Sequence, residues 1–168
     1  MRLGYTLTES GASIDAAFAA LARTLAAEGR HVAGAVQVTE RDGAGRLARM
    51  ELHLLPDFTP VDIAQKLGAS AAGCRLDPGA LEQATEAISR RIGTGADLLI
   101  VPRFGEREAD GGGYRDAIAT ALMAEVPVLV GVSPAWQTAF DDFAGGTAER
   151  LPPEPGALRT WAAGPAPA

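Results

Sequence analysis

Two apolar patterns alternate along this chain, and their order predicts an architecture. Arg2 to Leu7 is a short β-leaning run that breaks at Thr8-Glu9-Ser10-Gly11-Ala12. Ile14, Phe18, Leu21 and Leu25 then recur at helical spacing, with Ser13 as the expected N-cap, Asp15 in the first turn and Gly29 as the stop. His31 to Val38 reads as a second strand and completes a β-α-β unit. Asp42-Gly43 and Gly45 supply turn chemistry within Glu40 to Arg46, and Leu47 to Leu55 is another strand candidate ended by Pro56, so an antiparallel pair is expected. Asp57 to Gly73 is the least regular part, a long connection in which Pro60 and the run Val61 to Leu67 suggest a short helix.

Regularity returns at Asp77-Pro78, an N-cap and N1 pair that introduces the helical face Leu81, Ala84, Ile88 and Ile92, stopped by Gly93 and Gly95. Leu98 to Val101 is a buried strand that Pro102 is expected to end, emptying into a polar, glycine-rich loop up to Arg115. A helix is expected from about Tyr114 to Glu125, followed by the wholly apolar strand Pro127 to Val132. Pro134 to Phe143 suggests a short helix with Trp136 and Phe140 inward, and Leu158 and Trp161 a last packed turn. Strands alternating with helices imply an α/β fold with a three-layer, mostly parallel sheet and right-handed crossovers, the hairpin after residue 40 adding an antiparallel edge. A chain of 168 residues suits one such domain over 1–168, with 153–168 as a peripheral tail.

Composition narrows the partners. The net charge is −6 with a pI near 4.9 and no basic run, which argues against nucleic acid or an anionic membrane. The start, MRLGYTLTESG, lacks the continuous apolar segment of a signal peptide, and no uninterrupted apolar run is long enough to span a bilayer. Cys74 is the only cysteine, so an internal disulfide is impossible and a cytoplasmic location is expected.

In open α/β sheets ligands bind outside the carboxyl ends of the strands, which directs attention to two loops. The first comprises Thr8, Ser10, Gly11, Ala12 and Ser13, at a strand-to-helix junction where free amides and the helix dipole attract anions. A working P-loop reads GxxxxGK[ST], with lysine on the β- and γ-phosphates. Here Thr6 stands at the first glycine and Ala12 at the lysine, so phosphoryl transfer through this loop is not expected. A plain capped turn and an anion or nucleotide site remain as readings. The second loop carries Gly105 and three arginines, Arg103, Arg107 and Arg115, whose guanidinium groups suit a fork around an oxyanion. Its Glu106, Glu108 and Asp110 are of the type that holds a divalent cation such as Mg²⁺. A solvated loop of cancelling charges is the competing reading.

A third stretch, Cys74-Arg75-Leu76-Asp77, precedes a helix. Asp77 reads as its cap, Arg75 reaches towards the same sheet edge, and a lone cysteine with no histidine nearby in sequence reads as a packing residue. His31 and His53 form no zinc-type spacing, and no GxSxG, DxD or GxGxxG pattern occurs.

The order of these motifs resembles a known family. The GRHVAGAVQ strand, the GCRLDPGAL helix start, the GADLLIV strand with RFGEREADGGG, and the AEVPVLVGV strand with its Phe143-Ala-Gly-Gly ending resemble the DUF2478 family of bacterial proteins over about residues 3 to 162. The resemblance implies a P-loop nucleoside-triphosphatase-like fold and a place in bacterial molybdenum metabolism, including molybdate uptake. Family members commonly carry Asn-Lys before the Phe-Gly pair, where this chain has Pro102-Arg103. Arginine keeps the charge and proline loses the amide side chain. Carried onto this sequence, the resemblance implies a binding loop at Arg103, Gly105, Glu106 and Glu108, with Cys74, Arg75 and Asp77 beside it. The combined expectation is a degenerate P-loop-like accessory or sensing protein that binds a phosphate-like oxyanion or a nucleotide, with molybdate as a candidate ligand. Two alternatives stay open: an NTPase or small-molecule kinase working through acidic loop residues with Mg²⁺, and a non-catalytic protein-interaction module. Homodimer formation is open as well.

Overall fold

The computed structural model describes residues 1–7, 11–65 and 76–164. Strands β1 (Leu3–Leu7), β2 (Val32–Arg41), β3 (Leu47–Leu54), β4 (Thr59–Asp62), β5 (Leu98–Phe104), β6 (Val128–Val132) and β7 (Glu149–Arg150) form one seven-stranded sheet in the order β4-β3-β2-β5-β6-β1-β7. The segment from β2 to β7 in that order is parallel, and β3 and β4 add the antiparallel edge. The helices are α1 (Gly11–Ala27), α2 (Pro78–Ile92), α3 (Glu106–Ala109), α4 (Arg115–Met123), α5 (Gln137–Ala144) and α6 (Pro155–Ala163).

Side-chain alternation along the strands makes the three layers. In β5, Leu98 and Ile100 face α1 and α6, whereas Leu99 and Val101 face α2, α4 and α5. Both faces are therefore covered, and the central strands read as continuous apolar runs. Leu158, Trp161 and Ala162 of α6 are buried against the α1 side. Aromatic rings are few and concentrate on the other side: Phe140 lies 4.9 Å from Tyr5 and 5.2 Å, edge-on, from Phe104, by ring centroids.

One glycine is required by this packing. Gly34 in β2 has φ +107°, and a Cβ there would sit 2.0 Å from the Ile100 carbonyl oxygen. Beyond it β2 leaves the parallel sheet. Its pairing with β5 covers only Val32 to Gly34, while its pairing with β3 runs on from Ala35–Leu54 to Arg41–Leu47. The β2–β3 hairpin is thus an arm that projects past the carboxyl edge and forms a side wall for whatever lies there.

Several expectations are corrected. Pro102 does not end its strand: β5 continues to Phe104, and a register irregularity against β6 between Val101 and Phe104 accommodates the residue that has no N–H to donate. The short helix expected from Val61 is instead strand β4, Leu52 pairing with Val61, because the outer edge of β3 offers hydrogen bonds that an isolated turn would forgo. The remainder of that run from Lys66 onward lies outside the described residues. Helix α1 begins at Gly11, so Ser13 is an exposed residue inside its first turn and not the cap. The polar loop after β5 contains the helical turn α3. Phe140 is buried as expected, but Trp136, in a 3₁₀ turn at Pro134–Trp136, is only half-buried. Among the described residues no helix is long and apolar enough to cross a membrane.

Candidate functional site

At the carboxyl edge a cleft of about 1310 Å³ opens between the start of α1, the end of β5 with α3, the first turn of α2, and the β2–β3 arm. Continuing β5 past Pro102 matters here, because it places Arg103 on the sheet edge facing α1. Arg103 Nη2 lies 2.8 Å from Asp15 Oδ1, and a Cβ on Gly11 would sit only 2.6 Å from the same nitrogen. Arg103 Nη1 donates to the Pro102 carbonyl at 2.7 Å. The Asp15 contact is a close ion pair with poor hydrogen-bond alignment, since Oδ1 is buried without a well-directed donor. Burial raises the Asp15 pKa above the ordinary carboxylate value, and the Arg103 charge works against that rise.

The second loop is organised by Glu108, which is 3% exposed. Its Oε2 accepts from the Gly105 amide at 2.9 Å and its Oε1 from the Tyr114 amide at 3.0 Å. This is the carboxylate half of a capping box; Gly105 has no side chain to supply the other half. Burial pushes the Glu108 pKa up, and the Tyr114 and Gly105 amides oppose the shift. Glu82 of α2 pins the same loop, accepting from the Gly113 amide at 3.0 Å and from Arg107 Nη2 at 3.4 Å. Glu108 therefore orders the loop, each of its oxygens accepting from a backbone amide.

The arginine fork is also taken apart. Arg103 and Arg107 line the cleft. Arg115 turns away from it, donating to the Glu108 carbonyl at 3.1 Å and lying 4.8 Å from the centre of the Phe143 ring. Glu106 and Asp110 are exposed at the cleft margin. Among the described residues no three His, Cys, Asp or Glu side chains gather closely enough to hold a metal ion. Asp77 caps α2, its Oδ1 accepting from the Gly79 amide at 2.9 Å and the Ala80 amide at 3.1 Å. Of the first loop, Gly11 lines the cleft, while Thr8 and Ser10 lie outside the described residues, as do Cys74, Arg75 and the side chain of Ala12.

Sequence reasoning did not single out Tyr114, Gln37, Thr39 or Trp136 as site residues, and took Asp15 only as a helix residue; all five line the cleft. Tyr114 is 2% exposed, and its hydroxyl has no hydrogen-bond partner among the described residues. Burial, then the Glu108 charge, raises its pKa well above the ordinary value, so the phenol is neutral. Its sequence signal was faint: a tyrosine closing a glycine run at a helix start, where an apolar residue would serve packing equally well.

Solved structures similar to this chain carry the same fold. A human cancer-related nucleoside triphosphatase superposes with a TM-score of 0.62 at 16% identity, covering 89% of this chain and 87% of that one. THEP1 from the hyperthermophile Aquifex aeolicus gives a TM-score of 0.59 at 12% identity, covering 93% of this chain and 91% of that one. The fold is thus P-loop NTPase-like. In sequence, the chain is 32% identical over 148 residues to the molybdenum import ATP-binding protein ModC 2 of Bradyrhizobium diazoefficiens; the match takes in 88% of this chain but only 16% of that much longer protein. A family model matches residues 3–161, and on that near-complete match the chain belongs to the family described as protein of unknown function DUF2478.

Proposed function

We propose that this chain binds an oxyanion of the phosphate class, free or carried by a nucleotide, at the Gly11 end of α1, and serves as an accessory or sensing module in molybdate metabolism. The observation that carries the reading is the Arg103 guanidinium, which β5 delivers to the Gly11 end of α1, where Ala12 stands at the lysine position of the GxxxxGK[ST] pattern. A helix N-terminus and a guanidinium together favour an anion through the dipole, free amides and a planar set of donors. The similarity to a molybdenum import ATP-binding protein supports the molybdate setting. Binding without turnover is favoured over an NTPase or kinase mechanism, because Ala12 offers no amine and the best-placed acid of the second loop, Glu108, is spent on backbone amides.

Calorimetric titration with ATP, GTP, molybdate and tungstate tests the proposal. At least one ligand binds, and Arg103→Ala weakens it by about 10- to 100-fold, the effect of losing charge-assisted hydrogen bonds. Absence of binding by all four at millimolar concentration, or an affinity indifferent to Arg103→Ala, would refute it.

A further inference from the structure

The arm that walls the cleft leaves a strand edge open. β2 pairs with β5 only from Val32–Leu98 to Gly34–Ile100, whereas its ladder with β3 runs on to Arg41–Leu47. Successive residues of a strand turn their main-chain groups to opposite sides. The Gly34 carbonyl accepts from the Leu55 amide at 2.9 Å, so Gly34, Val36 and Val38 are the residues that turn N–H and C=O towards β3. Gln37 and Thr39 turn theirs the other way, into the gap that opens where β5 no longer follows. Neither has a main-chain partner on that side among the described residues, and both line the cleft.

The surroundings of this edge fit an extended chain. Buried Leu52 and Leu81, with half-buried Met50, form an apolar floor to the cleft on the α2 face. Tyr114 lies on that face too, 2% exposed, its hydroxyl without a hydrogen-bond partner among the described residues. Buried hydroxyls are ordinarily paired, so this one points to a group that the free chain does not supply. At the outer end Arg41 donates to the Gly45 carbonyl at 3.1 Å and meets no carboxylate among the described residues. A small molecule can rest on the apolar floor. Only a polypeptide in extended form also matches outward N–H and C=O groups two residues apart, the spacing at which an added strand makes its hydrogen bonds. Natural sheets guard open edges with proline, charge or a bulge. Here the irregularity between Glu40 and Arg41 ends the edge, and Gln37 to Thr39 carries neither proline nor charge.

We propose that the cleft-facing edge of β2 from Gln37 to Thr39 is a docking site for an extended segment of another protein. The segment adds a strand to the arm, presents apolar side chains to Leu52 and Leu81, and sets an acidic residue against Arg41. It leaves Gly11 and Arg103 free, so it does not depend on the anion site proposed above.

Hydrogen exchange of the free full chain tests the edge itself. The Gln37 and Thr39 amides exchange at least about tenfold faster than those of Val36 and Val38; equal protection would overturn the proposal. Docking is tested with a phage-displayed library of random peptides about eight residues long, selected on the full chain and counter-selected on Thr39→Pro. That substitution removes an outward N–H which the β3 ladder does not use. Selected sequences alternate apolar residues and carry an acidic one at one end. The corresponding synthetic peptides slow exchange at Gln37 and Thr39. They lose at least about tenfold in affinity on Thr39→Pro and on Arg41→Glu, and nothing on Arg103→Ala. Failure to select any peptide, or peptides that bind Thr39→Pro as well as the parent, overturns the docking site. Peptides lost on Arg103→Ala but kept on Arg41→Glu overturn it as well, since they occupy the anion end. Anion titration is indifferent to each of these results, so the two proposals fail separately.

Discussion

Replacing Glu108 by glutamine tests whether this acid orders the loop or serves chemistry. The substitution keeps the volume of the side chain but converts one of its two acceptors into an NH₂. Since Oε2 accepts from Gly105 and Oε1 from Tyr114, either orientation of the new amide turns a donor towards a backbone N–H. One hydrogen bond to a charged acceptor, about 1.5–3 kcal/mol, disappears, and the amide left facing a donor in a buried site adds about 1–3 kcal/mol. Part of this is offset, because the neutral side chain no longer carries the desolvation penalty that raises the Glu108 pKa. A net destabilisation of about 2–4 kcal/mol follows, a large share of the roughly 5–15 kcal/mol that holds a domain folded. At about 2–4 °C per kcal/mol for a chain of this size, the melting temperature falls by roughly 4–16 °C. Denaturant unfolding followed by circular dichroism measures the loss. Hydrogen exchange localises it, with the Gly105 and Tyr114 amides losing protection first. Glu106→Gln, at an exposed carboxylate on the same turn, serves as the control and stays within about 0.5 kcal/mol of the parent. A Glu108→Gln variant as stable as the parent, with unchanged exchange at those two amides, would refute the assignment.

Gly34→Ala forces a Cβ to 2.0 Å from the Ile100 carbonyl at a positive φ, so it destabilises by more than about 4 kcal/mol or prevents folding; a melting temperature close to the parent's would contradict the packing described. Gly11→Ala meets only the flexible tip of Arg103, so stability changes by less than about 1 kcal/mol while the guanidinium is displaced and anion affinity drops, both measurable on one preparation. The Asp15 pKa is raised in the folded state, so its contribution to stability is complete below the unfolded value and is lost as pH rises through the folded one. Asp15→Asn therefore gains stability relative to the parent as pH rises through that window, and a relative loss instead would show that the Arg103 pair outweighs burial. Sulfate, whose charge is constant over this range, should bind the parent less well as Asp15 ionises and competes for Arg103, a trend the variant lacks. Asp77→Ala removes the α2 cap and costs about 1 kcal/mol by denaturant unfolding.

Much of the fold was legible in the sequence because its signals are local. The helical spacing of Ile14, Phe18, Leu21 and Leu25, the Asp77-Pro78 start of α2, and the apolar runs at β5 and β6 each follow from side chains a few residues apart, and each became the element expected. The errors fell where a distant partner decided the outcome. Val61 became strand because β3 had an edge to fill, and Pro102 stayed in strand because the irregularity against β6 absorbed it. Neither β3's free edge nor β6's register is visible from within the segment itself.

The candidate site divides in the same way. The sequence by itself determined the polar loop after β5, the absence of the P-loop lysine at Ala12, and the carboxyl edge as the place to look, since all three depend on residue identity and chain order. Only the tertiary structure decided what those residues do. It swung Arg103 across to Gly11 and Asp15, sent Arg115 to Phe143, buried Glu108 on two amides, and brought the β2–β3 arm and Tyr114 into one cleft. The physical reason is that charge and hydrogen-bonding capacity are written in each side chain, whereas the partner that uses them is chosen by which strands the sheet places side by side.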